Sequence, residues 1–158
     1  MTRAPTIRAS VAGTLRRAAS RLRLRPSPGA EVVVGYAPRR DGRPDPGEVV
    51  WAWVPFEEDP SQGKDRPVLI VGRAGRELVA LMLTSQDHDA SRAFDEAQGR
   101  RWMDIGVGGW DRQRRPSEVR LDRVLRLKAR EVRREGAALD RARFDAVAAA
   151  ARALHGWA

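Results

Sequence analysis

Between Gly47 and Val71 the chain reads GEVVWAWVPFEEDPSQGKDRPVLIV, two strand-like apolar runs held apart by a polar stretch that resists regular structure. Glu48 to Val54, rich in Val and Trp, suits a half-buried pleated surface, and Val68 to Val71 has the short apolar character of a buried strand. Pro55, Pro60 and Gly63 interrupt helix and strand alike, so a long exposed loop is predicted between the runs. Pro67 lacks a backbone donor and biases Arg66 toward extended geometry, so the loop delivers a guanidinium where the next strand starts. A planar cation with five donors, held at a strand end, matches the oxygens of a phosphate.

Further along, Glu77 to Leu83 reads as the next strand and presents Thr84 and Ser85 at its end. Val119 to Asp122 reads as another, continued by Arg123 to Leu127. Arg120 and Asp122 are two apart there, so both side chains stand on one side of the strand. On the residues alone that pair is a plain salt bridge. From Ala137 to Leu154 the composition favours a helix, with Leu139, Phe144, Val147 and Ala151 able to form one apolar face. Asp140 near its start suits the positive end of the helix dipole.

This order of features resembles the PemK/MazF toxin family. The family pattern of Gly, acidic or polar residue, hydrophobic run, Pro, variable loop, Gly, basic or polar residue, Arg-Pro and hydrophobic strand is met by Gly47, Glu48, Val49 to Val54, Pro55, Gly63, Lys64, Arg66, Pro67 and Val68 to Val71. The strand ending in Thr84-Ser85, the Arg120-x-Asp122 strand and the closing helix follow in the same order, so the resemblance runs from Asp45 to Leu154. It implies a mainly β fold, an SH3-like barrel with a C-terminal helix, assembled as a homodimer. It further implies a sequence-selective endoribonuclease of a toxin–antitoxin pair, cutting single-stranded mRNA, inhibiting growth and neutralised by a cognate antitoxin. By the same resemblance Arg66 and Thr84 fall on the family's catalytic Arg and Thr. Arg120 and Asp122 fall on the pair that acts as general acid and base in the PemK-like branch, and Lys64 and Ser85 are candidate RNA contacts. The competing reading is a noncatalytic SH3-like module that binds nucleic acid or protein, since a barrel does not itself specify an activity.

RNA supplies its own nucleophile, the ribose 2′-hydroxyl. Cleavage through it needs a base for that proton, cations for the crowded phosphorane and an acid for the leaving oxygen. Neither a metal nor another cofactor is required, so the absence of Cys and the scarcity of His are no obstacle to it. Some relatives carry a His before the Gly-x-Arg-Pro segment; here Glu57 to Gln62 occupy that stretch. His88, close to Thr84 in sequence, is a possible substitute, but a single His in an acidic loop reads first as exposed. His155, near the terminus, reads as inert.

The 158 residues, 42% of them hydrophobic, allow one ordinary domain and a tail. No run approaches the roughly 18 apolar residues of a membrane span. The lack of cysteine excludes disulfides, thiolate zinc sites and a cysteine nucleophile, and fits a cytoplasmic protein. The net charge of +9 is unevenly placed: residues 1–46 hold 10 basic and 3 acidic groups, residues 47–158 hold 20 and 18. Bulk charge is therefore no argument for RNA chemistry in the second part. The chain divides into a basic extension over 1–30, a strand and linker over 31–46, and the SH3-like domain over 47–158. In the extension Ile7, Val11, Leu15, Ala18 and Leu22 recur at helical spacing. An untranslated or disordered start, an arm for RNA or an acidic partner, and a targeting segment all remain open for it.

Two later segments are read as irregular. Gln86 to Gly99 is acidic, with Phe94 as its expected anchor, and reads as a solvated loop or short helix because its spacing lacks the ligands of a calcium loop. Trp102 to Asp111 contains Gly106, Gly108 and Gly109, which permit a tight turn; no Lys-Ser/Thr follows to make a phosphate loop. Trp110 is either a core or dimer-interface residue or a platform on which an RNA base stacks.

Overall fold

The computed structural model describes residues 30–158, apart from the side chains of residues 134–136, so the basic helix expected over Ile7 to Leu22 lies outside the described residues. Within them the strands are β1 (Val32–Val34), β2 (Glu48–Pro55), β3 (Gly63–Ala74), β4 (Glu77–Thr84), β5 (Trp102–Gly106), β6 (Ser117–Leu127) and β7 (Val132–Ala138). The helices are α1 (Arg92–Ala97) and α2 (Arg141–His155), with 3₁₀ turns at Asp89–Ser91 and Ala129–Glu131. All strand pairings are antiparallel, in the order β5-β6-β4-β3-β2-β7, and β1 pairs with the far end of β3.

β3 is the longest strand because the loop before it is shorter than the sequence suggests. Phe56 N–H closes that loop on Gln62 O at 2.9 Å, and the chain pairs again from Gly63, opposite Pro55. Arg66 accordingly lies inside β3, facing Ala52 of β2, rather than at the strand's start. Pro67 is tolerated there because pairing with β4 begins only at Val68. Near the other end, a Cβ on Gly72 would stand 2.2 Å from the Val33 carbonyl oxygen, so only glycine lets β1 lie against β3.

Alternation along the central strands buries both faces. Val50, Ala52, Val54, Val68, Ile70, Leu78, Ala80, Met82, Leu125 and Leu127 form one cluster, against which Trp102 and Val132 pack. On α2, Phe144, Val147, Ala148 and Ala151 are buried, and the helix packs against β6. Asp140 caps this helix by accepting the Arg143 N–H at 3.1 Å, so the helix begins later than Ala137, whose backbone belongs to β7. Tyr36, before β2, joins this layer: its hydroxyl donates to Leu139 O at 2.8 Å and its ring lies 5.0 Å from Phe144.

Strands β5 and β7 were not expected from the sequence. Each is an edge strand with bulged pairing and little apolar alternation, so its identity comes from the neighbour it pairs with. Phe94, expected to anchor the acidic insert, is 64% exposed; the buried residue of α1 is Asp95, held by Ser91 Oγ at 2.8 Å and Arg100 at 3.2 Å. Leu154, near the end of α2, is exposed.

Candidate functional site

The register of the central strands assembles a row of polar residues on the face that carries the cluster of Val50, Val68 and Met82. Pairing of β3 with β4 runs as far as Val68 opposite Met82, and Arg66 and Thr84 each lie two residues beyond it on their own strands, on the same face as those two. Thr84 faces Glu118 of β6, and Glu118 faces Asp104 of β5. The next row holds Trp102 opposite Arg120.

At the end of these strands a cleft of about 360 Å³ is lined by Lys64, Arg66, Thr84, Ser85 and Trp110, with Trp51, Asp65, Asp111 and Arg115 among its other walls. Its charges are unevenly matched. Asp111 is paired with Arg115 at 2.8 Å and Asp65 with Arg133 at 3.3 Å. Lys64 and Arg66 have no ion-pair or hydrogen-bond partner among the described residues. Burial, reinforced by the neighbouring Arg123 cation, lowers the pKa of Arg66 from its ordinary value. An arginine that is partly desolvated beside another cation is poised to gain an anion. Thr84 is buried, and its Oγ1 accepts the Gln86 N–H at 3.2 Å while keeping its own proton to donate.

Trp110 forms a wall rather than an open stacking platform. It is 4% exposed, its Nε1 donates to Ser117 Oγ at 3.0 Å, and the Arg143 guanidinium lies 5.6 Å from its ring centre. Gly108 fits beneath it, since a Cβ there would stand 1.9 Å from the indole. The glycines of this segment therefore accommodate an aromatic ring.

Arg120 and Asp122 do not line the cleft; they form a separate ion-paired cluster. Arg120 Nε and Nη2 both donate to Asp122, at 3.1 and 2.8 Å to the nearer oxygens, and Nη1 donates to Glu57 Oε1. Asp122 Oδ1 also accepts the Arg101 N–H at 2.8 Å, and the Arg120 guanidinium lies 5.9 Å from the Trp102 ring centre. Burial pushes the Asp122 carboxyl up but is outweighed by these donors, which hold it below the ordinary range. The hydrogen bond from Arg120 likewise holds Glu57 down, against a smaller effect of burial. Arg120 itself is raised: burial opposes its charge, and the two carboxylates more than compensate.

A carboxylate with a depressed folded-state pKa lends stability that is present above its unfolded value, about 4, and is lost as pH falls through the folded value. Stability to urea is therefore expected to fall below about pH 4, and Asp122→Asn should flatten that acid limb. An unchanged limb in the variant would show that the Arg120 cluster does not govern acid sensitivity.

His88 is not the exposed loop residue that its sequence context suggests. Its Nδ1 lies 2.7 Å from Glu118 Oε2, and its ring stacks on Trp102 with centroids 4.0 Å apart and planes 8° off parallel. No local pattern marks it, because Glu118 is 30 positions away. His155 is also engaged, its Nε2 lying 2.6 Å from Leu121 O and its ring stacking on Trp157. Among the described residues no helix is long and apolar enough to cross a membrane.

No curated protein matches the chain. Residues 45–155 match the family described as PemK-like, MazF-like toxin of type II toxin–antitoxin system. That match covers the sheet from before β2, the cleft, the Arg120 cluster and the C-terminal helix, and the chain therefore belongs to the PemK/MazF toxin family.

Proposed function

We propose that the chain is an endoribonuclease that cuts single-stranded mRNA with sequence selectivity and without a metal, as the toxin of a pair whose antitoxin blocks it. One observation carries the reading: two cations without partners among the described residues, Lys64 and Arg66, share a cleft with the Thr84 hydroxyl. Arg66 holds the scissile phosphate and stabilises charge as the 2′-oxygen attacks, Thr84 orients the phosphate or the 2′-hydroxyl, and Lys64 and Ser85 bind the adjoining backbone. Trp110 shapes the cleft wall that the RNA meets. Arg120 and Asp122, paired with each other and with Glu57 outside the cleft lining, hold the strand next to the site.

The sheet is read as an SH3-like barrel. β3 turns from β2 to β1 along one edge while pairing β4 along the other, and a Cβ on Gly109, after β5, would stand 3.2 Å from Ala137 of the opposite edge strand β7. The active form is proposed to be a cytoplasmic homodimer. The antitoxin occupies the RNA cleft and the strand-loop from Ser61 to Arg66, where the free cations attract an acidic segment.

Incubating the purified protein with a long RNA in EDTA, and determining the fragment ends, tests the function. Fragments with 2′,3′-cyclic phosphate and 5′-hydroxyl ends, arising at a restricted set of sequences, are expected. Binding without cleavage would instead leave a noncatalytic RNA-binding module.

A further inference from the structure

We infer that His88 is the proton-transfer residue of this site, its Nε2 taking the proton from the ribose 2′-hydroxyl of a bound RNA. The inference rests on the ribonuclease reading and names a group that the match to the family does not. Four observations support it.

First, the imidazole is fixed in place. Its backbone is pinned on both sides: Ser91 N–H donates to His88 O at 3.1 Å, and Asp89 N–H donates to Asp87 Oδ1 at 2.8 Å. The ring has one face on Trp102, and its side chain is 17% exposed. Second, its two nitrogens are differentiated. Glu118 Oε2 engages Nδ1 at 2.7 Å, whereas Nε2 has no partner among the described residues. A carboxylate on Nδ1 keeps the proton there and leaves Nε2 as the basic atom.

Third, the register places this pair beside the cleft. Glu118 is the cross-strand partner of Thr84, and Thr84 is one strand from Arg66. Adjacent strands are about 5 Å apart, so the backbone carrying Glu118 lies roughly 10 Å from that of Arg66, a distance that one nucleotide and an arginine side chain bridge. Fourth, the residues first expected to move protons are already engaged. Asp122 accepts from Arg120 and from the Arg101 backbone, and Arg120 already donates from Nε, Nη1 and Nη2 to two carboxylates.

In the step proposed, the 2′-hydroxyl proton passes to His88 Nε2 as the bond from the 2′-oxygen to phosphorus forms. The bond from phosphorus to the 5′-oxygen breaks, and water supplies the proton that the departing 5′-oxygen takes up. His88 returns its proton to solvent, leaving a 2′,3′-cyclic phosphate and a 5′-hydroxyl. The charged groups around the imidazole are mostly carboxylates: Glu118 and Asp104 from β6 and β5, Asp95 from α1, and Asp87 and Asp89 on its own turn. Arg92 pairs with Asp89, Arg100 with Asp95, and Arg120 lies across Trp102. Burial, with Asp104 beside it, raises the pKa of Glu118, while His88 opposes that rise. Only the neutral ring can accept the 2′-hydroxyl proton, so cleavage should climb with pH as it does for a general base.

The test compares the full-length wild type with His88→Asn and His88→Ala on the same RNA in EDTA. The Asn amide keeps a hydrogen bond to Glu118 where Nδ1 stood but offers nothing at the Nε2 position. Single-turnover cleavage by His88→Asn should fall at least about 100-fold, with RNA affinity and melting temperature preserved and the rising limb of the pH profile gone. His88→Ala should regain part of its rate when free imidazole is added, by refilling the space on Trp102. Cleavage by His88→Asn within a few-fold of wild type, with an unchanged pH profile, would overturn the assignment while leaving the ribonuclease reading intact. A wild type that does not cut RNA overturns both. If the Asn variant melts early, imidazole rescue of the Ala variant decides: rescue supports proton transfer, and none rejects it.

Discussion

Replacing Arg66 with Ala is expected to lower RNA cleavage by about 10²–10³-fold and to abolish growth arrest when the chain is expressed. The fold should survive this change. Arg66 has no ion-pair partner among the described residues, so its removal strands no carboxylate, and it relieves the repulsion from Arg123 that helps lower its pKa. Arg66→Lys is the informative companion. It keeps one charge but loses the planar fork, so a rate between wild type and Ala would show that two-point contact with the phosphate matters. Single-turnover rates beside thermal melts of the three proteins separate chemistry from folding. Full cleavage by a folded Arg66→Ala protein would move the reacting phosphate out of the Lys64–Thr84 cleft.

The largest loss of stability is expected from Arg120→Ala, about 3 kcal/mol by urea unfolding at pH 7. Only 8% of the Arg120 side chain is exposed, and its removal leaves Asp122, 18% exposed, without its main donor. Glu57 is 47% exposed and recovers water when the pair breaks, which puts the expected cost at the lower end for a buried ion pair. Adding Asp122→Asn to Arg120→Ala should recover part of the loss, since the stranded charge is then gone. Additive losses in the double variant would contradict the stranded-charge explanation. A stable Arg120→Ala protein that had lost cleavage alone would place this pair in the chemistry, as the resemblance to the family first implies.

The strands that were legible in the sequence are those bounded by proline or glycine and rich in β-branched residues. Glu48 to Val54 and Val68 to Val71 both lie within observed strands, and Glu77 to Leu83 needs only Thr84 to match β4. The resemblance added order and family. Neither source could show that Gly63 to Pro67 already belongs to a strand, because β2 supplies the pairing partners for residues that are individually polar. β7 is hidden for the same reason: its residues carry no strand pattern, and its pairing with β2 is interrupted by two register shifts. Of the candidate site, Arg66 and Thr84 were marked by motif and line one cleft from adjacent strands. The His88 environment was illegible because it is built from β5 and β6 at once, and an acidic loop sequence carries no trace of a ring stacked on a distant tryptophan.

All of β4 after Glu77 is buried, and Thr84 is its last residue. The hydroxyl assigned to position RNA is thus the terminal member of a core strand, with Met82 packed two places before it and Leu83 sealed against the opposite face. Evolution cannot retune such a residue by loop variation, as it can where reactive groups sit on flexible insertions. Substitutions in the Phe56–Gln62 loop, by contrast, would alter the approach to the cleft without disturbing the strand that holds this hydroxyl.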